Sequence, residues 1–287
     1  MTPASKAAGK LFLVGTPIGN LEDITFRALK TLKEVDLIAC EDTRRTQQLL
    51  NHYAIKTPTT SYHEHNELTR SAELMIELEE GSHIALVSDA GMPVISDPGF
   101  RLVSLAVRHG IPVIPIPGAS AFVAALSAAG LPVDKFRFLG FLPSKKGQRR
   151  KALEELKDAS KTLVFYEAPH RLVEMLNDLL DVLGEQLVVV AREVTKLHEE
   201  FLRGSVSEVL GVLKKKPVKG EITVLAAPQM ANHQGATAQA SVSEEVAQAM
   251  AAEGLDERAA LKAIAKKLGI SRSEAYRQLQ GEKSSGK

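Results

Sequence analysis

A chain of 287 residues, 44% hydrophobic and 25% charged, with a formal charge of +1, is long enough to bury a full core, which excludes disordered and fibrous classes. No apolar run approaches the roughly 18–20 residues that cross a bilayer, and the one cysteine, Cys40, supplies neither an internal disulfide nor a cysteine-rich metal site, so a cytoplasmic protein with no membrane partner is expected. The neutral total hides a segmentation: residues 1–118 carry 11 basic and 14 acidic side chains, 119–228 carry 17 and 14, and 229–287 carry 8 and 7.

The first apolar run, Leu11–Gly15, leads into Gly15-Thr-Pro-Ile-Gly19-Asn-Leu-Glu-Asp23. Glycines after a strand let backbone approach a ligand, yet neither G-x-G-x-x-G nor a P-loop is present, and a plain strand-to-helix turn is the other reading. The second run, Val35–Cys40, enters Glu41-Asp42-Thr43-Arg44-Arg45, where Asp42 is also suited to cap a helix. Tyr62-His63-Glu64-His65-Asn66-Glu67 gathers groups that titrate or hydrogen-bond. Its H-x-H pair lacks a nearby cysteine or an H-E-x-x-H helix, so no metal is expected. Helical periodicity over 66–80 precedes the third run, His83–Ser88, which ends in Ser88-Asp89-Ala90-Gly91-Met92-Pro93-Val94-Ile95-Ser96-Asp97-Pro98-Gly99. Asp89 is read there as a functional group and Asp97, before Pro98, as the start of the helix over 100–109. The fourth run, Pro112–Ile116, ends in Pro117-Gly118-Ala119-Ser120-Ala121. Three strands thus finish in Gly, Pro, Ser and Asp, and the carboxyl edge of an open α/β sheet is where ligands sit.

The prolines and glycine at 115–118 predict a break, after which Ala119–Ala129 reads as a small-residue helix. Strand-like runs at 136–141, 162–166, 186–192 and 221–227 then alternate with helical patterns at 171–183 and 206–216, and Ser205 with Glu208 has capping-box spacing. Between Lys135 and Lys151 stand seven basic residues and no acid; this is read as a strand followed by a mobile loop. Lys214 to Lys216 suit the end of a helix. Residues 229–241 are polar, small and aperiodic, a linker, and beyond them come helical patterns at 243–253, 256–267 and 272–280, with Gly254 and Gly269 as stops and Ser271–Glu274 as a capping box. The predicted organisation is an α/β lobe over 1–118, a second over 119–228, a linker over 229–241 and an all-α module over 242–287, with a ligand cleft between the lobes. The module resembles a helix-turn-helix, so a ligand-responsive DNA-binding regulator is one reading.

The ordered series LVGTPIGNLEDIT, ACEDTR, VSDAGMPVISDPG, PIPGASA, FYEAPHR and AREVTK closely resembles the ribosomal RNA small-subunit methyltransferase I family, in the tetrapyrrole-methylase-like class of S-adenosylmethionine enzymes. The likeness covers about 11–228. It implies two α/β lobes of the tetrapyrrole-methylase type, S-adenosylmethionine between them, a homodimer, and 2′-O-methylation of a cytidine ribose in 16S rRNA at the decoding centre, with the 30S subunit as partner. It places the cofactor against Pro17, then Ser88, Asp89, Ala90 and Met92 to Ile95 (Val94 included), then Ser120 and Ala121. From the second lobe it adds Tyr166, Glu167, Thr195 and Glu221. A tetrapyrrole acceptor is the alternative within the same class.

Methyl transfer to a ribose hydroxyl calls for an in-line geometry and for a base or cation at the oxygen. Glu41, Asp42 and His63 are the base candidates, with Arg44 and Arg171 steering charge. Lys145, Lys146, Arg149 and Arg150 are expected to bind RNA phosphates in a salt-sensitive way.

Overall fold

A computed structural model describes residues 7–157, 160–215 and 218–228, and within 246–279 all but 248, 251–253, 255, 269, 270, 273, 274 and 278. In its first lobe the short apolar runs become β1 (Leu11–Val14), β2 (Leu37–Cys40), β4 (Ile84–Val87) and β5 (Val113–Ile116), joined by β3 (Thr59–Ser61). They form one parallel sheet in the order β3-β2-β4-β1-β5. Such a sheet must be covered on both faces, and β4, at its centre, is buried throughout. Two helices, α1 (Phe26–Glu34) and α2 (Thr43–His52), seal one face through Ala28, Leu32 and Leu50. Leu74, Met75, Leu78, Leu102 and Ala106 of α3 (Glu67–Glu79) and α4 (Phe100–Arg108) seal the other.

The second lobe holds β6 (Phe136–Phe141), β7 (Thr162–Glu167), β8 (Leu187–Arg192), β9 (Glu200–Ser205) and β10 (Ile222–Ala226), in the order β6-β7-β10-β8-β9. Only β6 and β7 run parallel; the other pairs are antiparallel. One face is covered by α5 (Ala121–Ala129), whose Ala125, Leu126 and Ala129 pack on Val164, Val189 and Leu225. Across the other lie α6 (Lys146–Glu154), α7 (Leu172–Leu183) and α8 (Val206–Lys215). The capping box at the start of α8 forms: the Ser205 amide donates to Glu208 at 2.8 Å, and the Glu208 amide donates to Ser205 Oγ at 3.3 Å. Lys214 and Lys215 stand in its last turn, and Lys216 lies outside the described residues.

Two strands escape the sequence reading. Thr59–Ser61 has no apolar residue and sits at a sheet edge, and in Glu200–Ser205 charges interrupt the run. One expectation is wrong in kind: the basic stretch after Phe141 is a short turn leading into α6, not a mobile loop. Beyond Gly147 the segment is made of good helix formers with no proline, and propensity prevails.

The second compact unit, Met230–Lys287, has its own small core of Val246, Ala260, Leu261, Ile264, Ala265, Ala275 and Leu279, and contains α9 (Glu257–Leu268). Gly254, at φ +65°, takes the left-handed conformation of a helix stop, and Asp256 accepts the Ala259 amide at 2.7 Å. The linker over 229–241, Gly269 and Glu274 of the second capping box lie outside the described residues.

Candidate functional site

The carboxyl ends of β1, β4 and β5 face those of β6, β7 and β8 across a cleft of about 380 Å³. Because β10 is antiparallel to its neighbours, its first residues join the same rim. The first lobe supplies Ile18, Ala90, Met92, Ile95 and Asp97, and the second Ser120, Ala121, Phe141, Tyr166, Glu167, Val194 and Glu221. Thus Ala90, Met92, Ile95, Ser120, Ala121, Tyr166, Glu167 and Glu221, expected from the sequence, lie in one lining. Pro17, Ser88 and Asp89 line an adjoining pocket of about 330 Å³ that shares Ile18, Ala90 and Glu221 with the first. Val94 and Thr195 line neither pocket.

Backbone geometry explains why glycines gather here. Thr16 and Gly91 exchange amide hydrogen bonds of 2.9 and 3.1 Å, tying the loop after β1 to the loop after β4. A side chain on Gly15 would put its Cβ 2.7 Å from Gly118 Cα, so the loops after β1 and β5 touch only as glycines. Four non-glycine residues beside the cleft have positive φ: Val94 (+76°), Ser96 (+64°), Glu193 (+52°) and Thr195 (+70°). For the β-branched Val94 and Thr195 this is strained, at about 1–3 kcal/mol each. Such strain persists where the surrounding structure fixes a loop, and in this lining it sets the walls: Ser96 and Val194 both face the cavity. Val94 and Thr195 therefore shape the loops rather than form the wall. Thr195 donates its amide to Glu199 Oε2 at 2.7 Å, while its buried Oγ1 has no partner among the described residues.

The polar groups divide between fixed and uncommitted ones. Asp42 caps α2, accepting the Arg44 amide at 2.9 Å, and Arg44 Nη2 meets its other oxygen at 3.0 Å. Those hydrogen bonds from Arg44 hold its carboxyl down to about 2, which corrects the expectation of a base at this position, since so acidic a group takes up a proton poorly. Arg44 pairs with Asp42 while its side chain stays exposed. Asp89 is also committed, to the Asp42 amide at 3.1 Å and Arg45 Nη1 at 3.2 Å. Glu41 is not: burial, then the Asp89 charge, raises its proton affinity, and the His63 ring lies close enough to lower it slightly. His63 donates its amide to Asn66 Oδ1 at 2.9 Å, and its buried Nδ1 has no partner among the described residues.

Asp97 is a cleft residue that the sequence reading set aside. Its expected place at the start of α4 is taken by Gly99, and its carboxyl lies in the cleft lining. Burial first, then the Glu41 charge, raises it to about 6, against a hydrogen bond from Ser88. In the second lobe Glu167 is buried, accepts the Ala168 amide at 2.8 Å and pairs with Arg171 Nε at 3.2 Å, leaving Oε2 without a partner among the described residues. Burial raises its proton affinity too. Arg171, expected to steer phosphate, instead holds Glu167 and donates Nη2 to the Leu142 carbonyl at 2.6 Å. Glu221 pairs with Lys196 at 3.1 Å.

Of the four residues expected on RNA, Lys145 and Lys146 are exposed at the start of α6. Arg149 is not available: 1% exposed, it meets Asp178 Oδ2 at 2.7 Å and the Ser144 carbonyl at 3.2 Å. Arg150 pairs with Asp181 at 2.7 Å and Asp178 at 3.3 Å. The acidic partners lie 28 to 31 residues on in sequence, so a count of local basic residues overlooks them.

A family model described as Tetrapyrrole (Corrin/Porphyrin) Methylases matches residues 10–210. The chain is similar to proteins named ribosomal RNA small subunit methyltransferase I: 57% identical over 217 residues to that of Halalkalibacterium halodurans, covering 76% of this chain and 75% of the relative. With that of Synechocystis sp. it is 45% identical over 269 residues, covering 93% and 96%. Among solved structures it shares the fold of uroporphyrin-III C-methyltransferase from Thermus thermophilus in complex with S-adenosyl homocysteine, at TM-score 0.55, 20% identity and coverage of 76% and 97%.

Proposed function

The chain belongs to the ribosomal RNA small-subunit methyltransferase I family, and from that membership we propose that its cleft methylates 16S rRNA with S-adenosylmethionine, at the 2′-hydroxyl of a cytidine. The observation that carries the reading is the lining itself. Apolar Ile18, Met92 and Val194 share about 380 Å³ with the carboxylates of Asp97, Glu167 and Glu221, and among the described residues no basic side chain lines that cavity. A sulfonium cofactor bearing an adenosyl group and no phosphate fits such a wall: apolar surface for the adenosyl group, carboxylates for the cationic end. Glu167 Oε2, buried without a partner among the described residues, is an acceptor waiting for a donor.

In this reading Ala90, Met92 and Ile95 from one lobe and Ser120, Ala121, Tyr166, Glu167 and Glu221 from the other hold the cofactor, with Pro17, Ser88 and Asp89 shaping the adjoining pocket. Bound there, S-adenosylmethionine supplies an electrophilic methyl on sulfur. The chain supplies position and a proton acceptor. Asp97 stands in the lining with a proton affinity near neutrality, so it takes the proton from the attacking hydroxyl, with Glu41 behind it and His63 beside Glu41. Lys145 and Lys146 meet RNA phosphates.

The assembled 30S subunit as acceptor, a homodimer and a cytoplasmic location belong to the same proposal; among the described residues no helix is long and apolar enough to cross a membrane. Family membership leaves the DNA-regulator reading without support as the chain's function. Titration calorimetry with S-adenosylmethionine, followed by mapping of an alkali-resistant linkage in 16S rRNA from treated 30S subunits, tests the reading. A protein that binds the cofactor but leaves every 16S linkage alkali-labile contradicts it.

A further inference from the structure

One aromatic side chain in the lining is unexplained by cofactor binding. Phe141 is 57% exposed although it lies on the strand β6 and in the cavity wall. Its direction results from an irregularity. Along the β6–β7 pair Phe136, Arg137 and Phe138 stand opposite Thr162, Leu163 and Val164, but Gly140, not residue 139, stands opposite Phe165, and Phe141 stands opposite Tyr166. One residue is inserted between Phe138 and Gly140. In a regular strand residue 141 would oppose Glu167 and point to the other face of the sheet; the bulge returns it to the face of Phe138 and Val164, toward the cleft. Gly140 makes this possible with φ +62°, and a Cβ there would come 3.0 Å from Ser96 Oγ of the first lobe.

The ring is also held in place. Its centroid lies 5.6 Å from that of Tyr166, itself 5.0 Å from Phe138, which stacks on Phe122 at 4.4 Å. The next residue, Leu142, has its carbonyl fixed by Arg171, and the Ser144 carbonyl is fixed by Arg149. Directly after this clamped turn come Lys145 and Lys146, exposed to solvent. Among the described lining residues the other large apolar side chain that is open to solvent is Ile95, 46% exposed, contributed by the first lobe.

We infer that Phe141 is the platform on which the base of the substrate nucleotide stacks, with Ile95 as the apolar contact from the opposite lobe and Lys145 and Lys146 holding the phosphates that follow. The inference rests on the RNA-methylation reading. A ribose must be presented in line with the methyl group, and the base is the largest handle by which a protein orients a nucleotide. Recognition of single-stranded RNA relies on unstacked bases laid against aromatic rings, with the backbone in a positive groove. A buried ring could not serve; a rigid, half-open ring at the cavity rim beside a lysine pair can. Phe141 is thus a substrate-positioning residue, not a catalytic one.

The test compares wild type with Phe141→Ala, Phe141→Leu and Phe141→Trp, using 30S subunits from cells lacking the modification and labelled S-adenosylmethionine, with cofactor Kd and Tm measured alongside. Phe141→Ala is expected to lower kcat/KM for 30S subunits about 10- to 100-fold, mostly through KM, with cofactor Kd and Tm held within twofold and about two degrees. Phe141→Trp restores most of the loss; Phe141→Leu, which keeps apolar bulk without a π-face, does not. Wild-type kcat/KM in Phe141→Ala overturns the inference alone, as does full rescue by Phe141→Leu or a parallel loss of cofactor affinity. Absence of methyl transfer by the wild-type protein overturns the RNA reading and this inference with it.

Discussion

Asp97→Asn should make the protein more stable and less active, with the stability gain confined to higher pH. In the folded chain burial, and then the nearby Glu41 charge, lifts Asp97 from the ordinary 3.8 to about 6. A group whose folded value is raised favours folding while it is protonated. That stabilisation is complete below the unfolded value and is lost as pH rises through about 6. A difference of about two pH units corresponds to roughly 3 kcal/mol at pH 8, of which solvent screening of a side chain that is not fully buried leaves about 1–3 kcal/mol. Asparagine keeps the size and carries no charge to desolvate. The gap between variant and wild-type Tm should therefore widen by roughly 2–8 °C between pH 4.5 and pH 8, levelling off above pH 7. Over the same range wild-type methyl transfer should rise through pH 6 as the carboxylate forms, while Asp97→Asn loses about 10²–10⁴-fold in kcat. Differential scanning calorimetry across pH gives the first curve and labelled methyl transfer the second. A Tm gap independent of pH, or a less stable variant at pH 8, would refute the assignment of Asp97 as a desolvated carboxylate.

Neutralising Lys145 and Lys146 together should lower the slope of log affinity against log salt for rRNA by about 1–2, with cofactor Kd unchanged; filter binding across a salt series reads this directly. Arg149→Ala should behave differently: it leaves the buried Asp178 carboxylate without its main partner, destabilises by about 3–5 kcal/mol, and appears as a lower denaturation midpoint in urea. Gly140→Ala, forced into φ +62° and against Ser96 Oγ at 3.0 Å, should lower stability by about 1–2 kcal/mol and reproduce part of the Phe141→Ala defect in KM for the 30S subunit.

Much of the first lobe was legible because a parallel strand buried on both faces is a continuous apolar run, as in Ile84–Val87, and because its ligand loops announce themselves with glycine and proline. Strands that carry little apolar surface, Thr59–Ser61 and Glu200–Ser205, left no such trace. Side-chain roles were harder, since each depends on a partner distant in sequence. Arg149 reads as a surface cation until Asp178 closes on it, and Asp42 reads as a base until Arg44 takes its carboxylate. Asp97 shows the reverse: a residue that looks like a helix start becomes a cleft carboxylate because Gly99 stands at the cap. The bulge that turns Phe141 toward the cavity is a fact of register, which no local pattern encodes.

Incubation of the purified protein and labelled S-adenosylmethionine with 30S subunits, naked 16S rRNA and uroporphyrinogen, each alone and in competition, tests the central claim most directly. Label in 16S rRNA, released by nucleases as a 2′-O-methylated cytidine, is the expected result. Label on the tetrapyrrole alone, with none in either RNA sample, would contradict it.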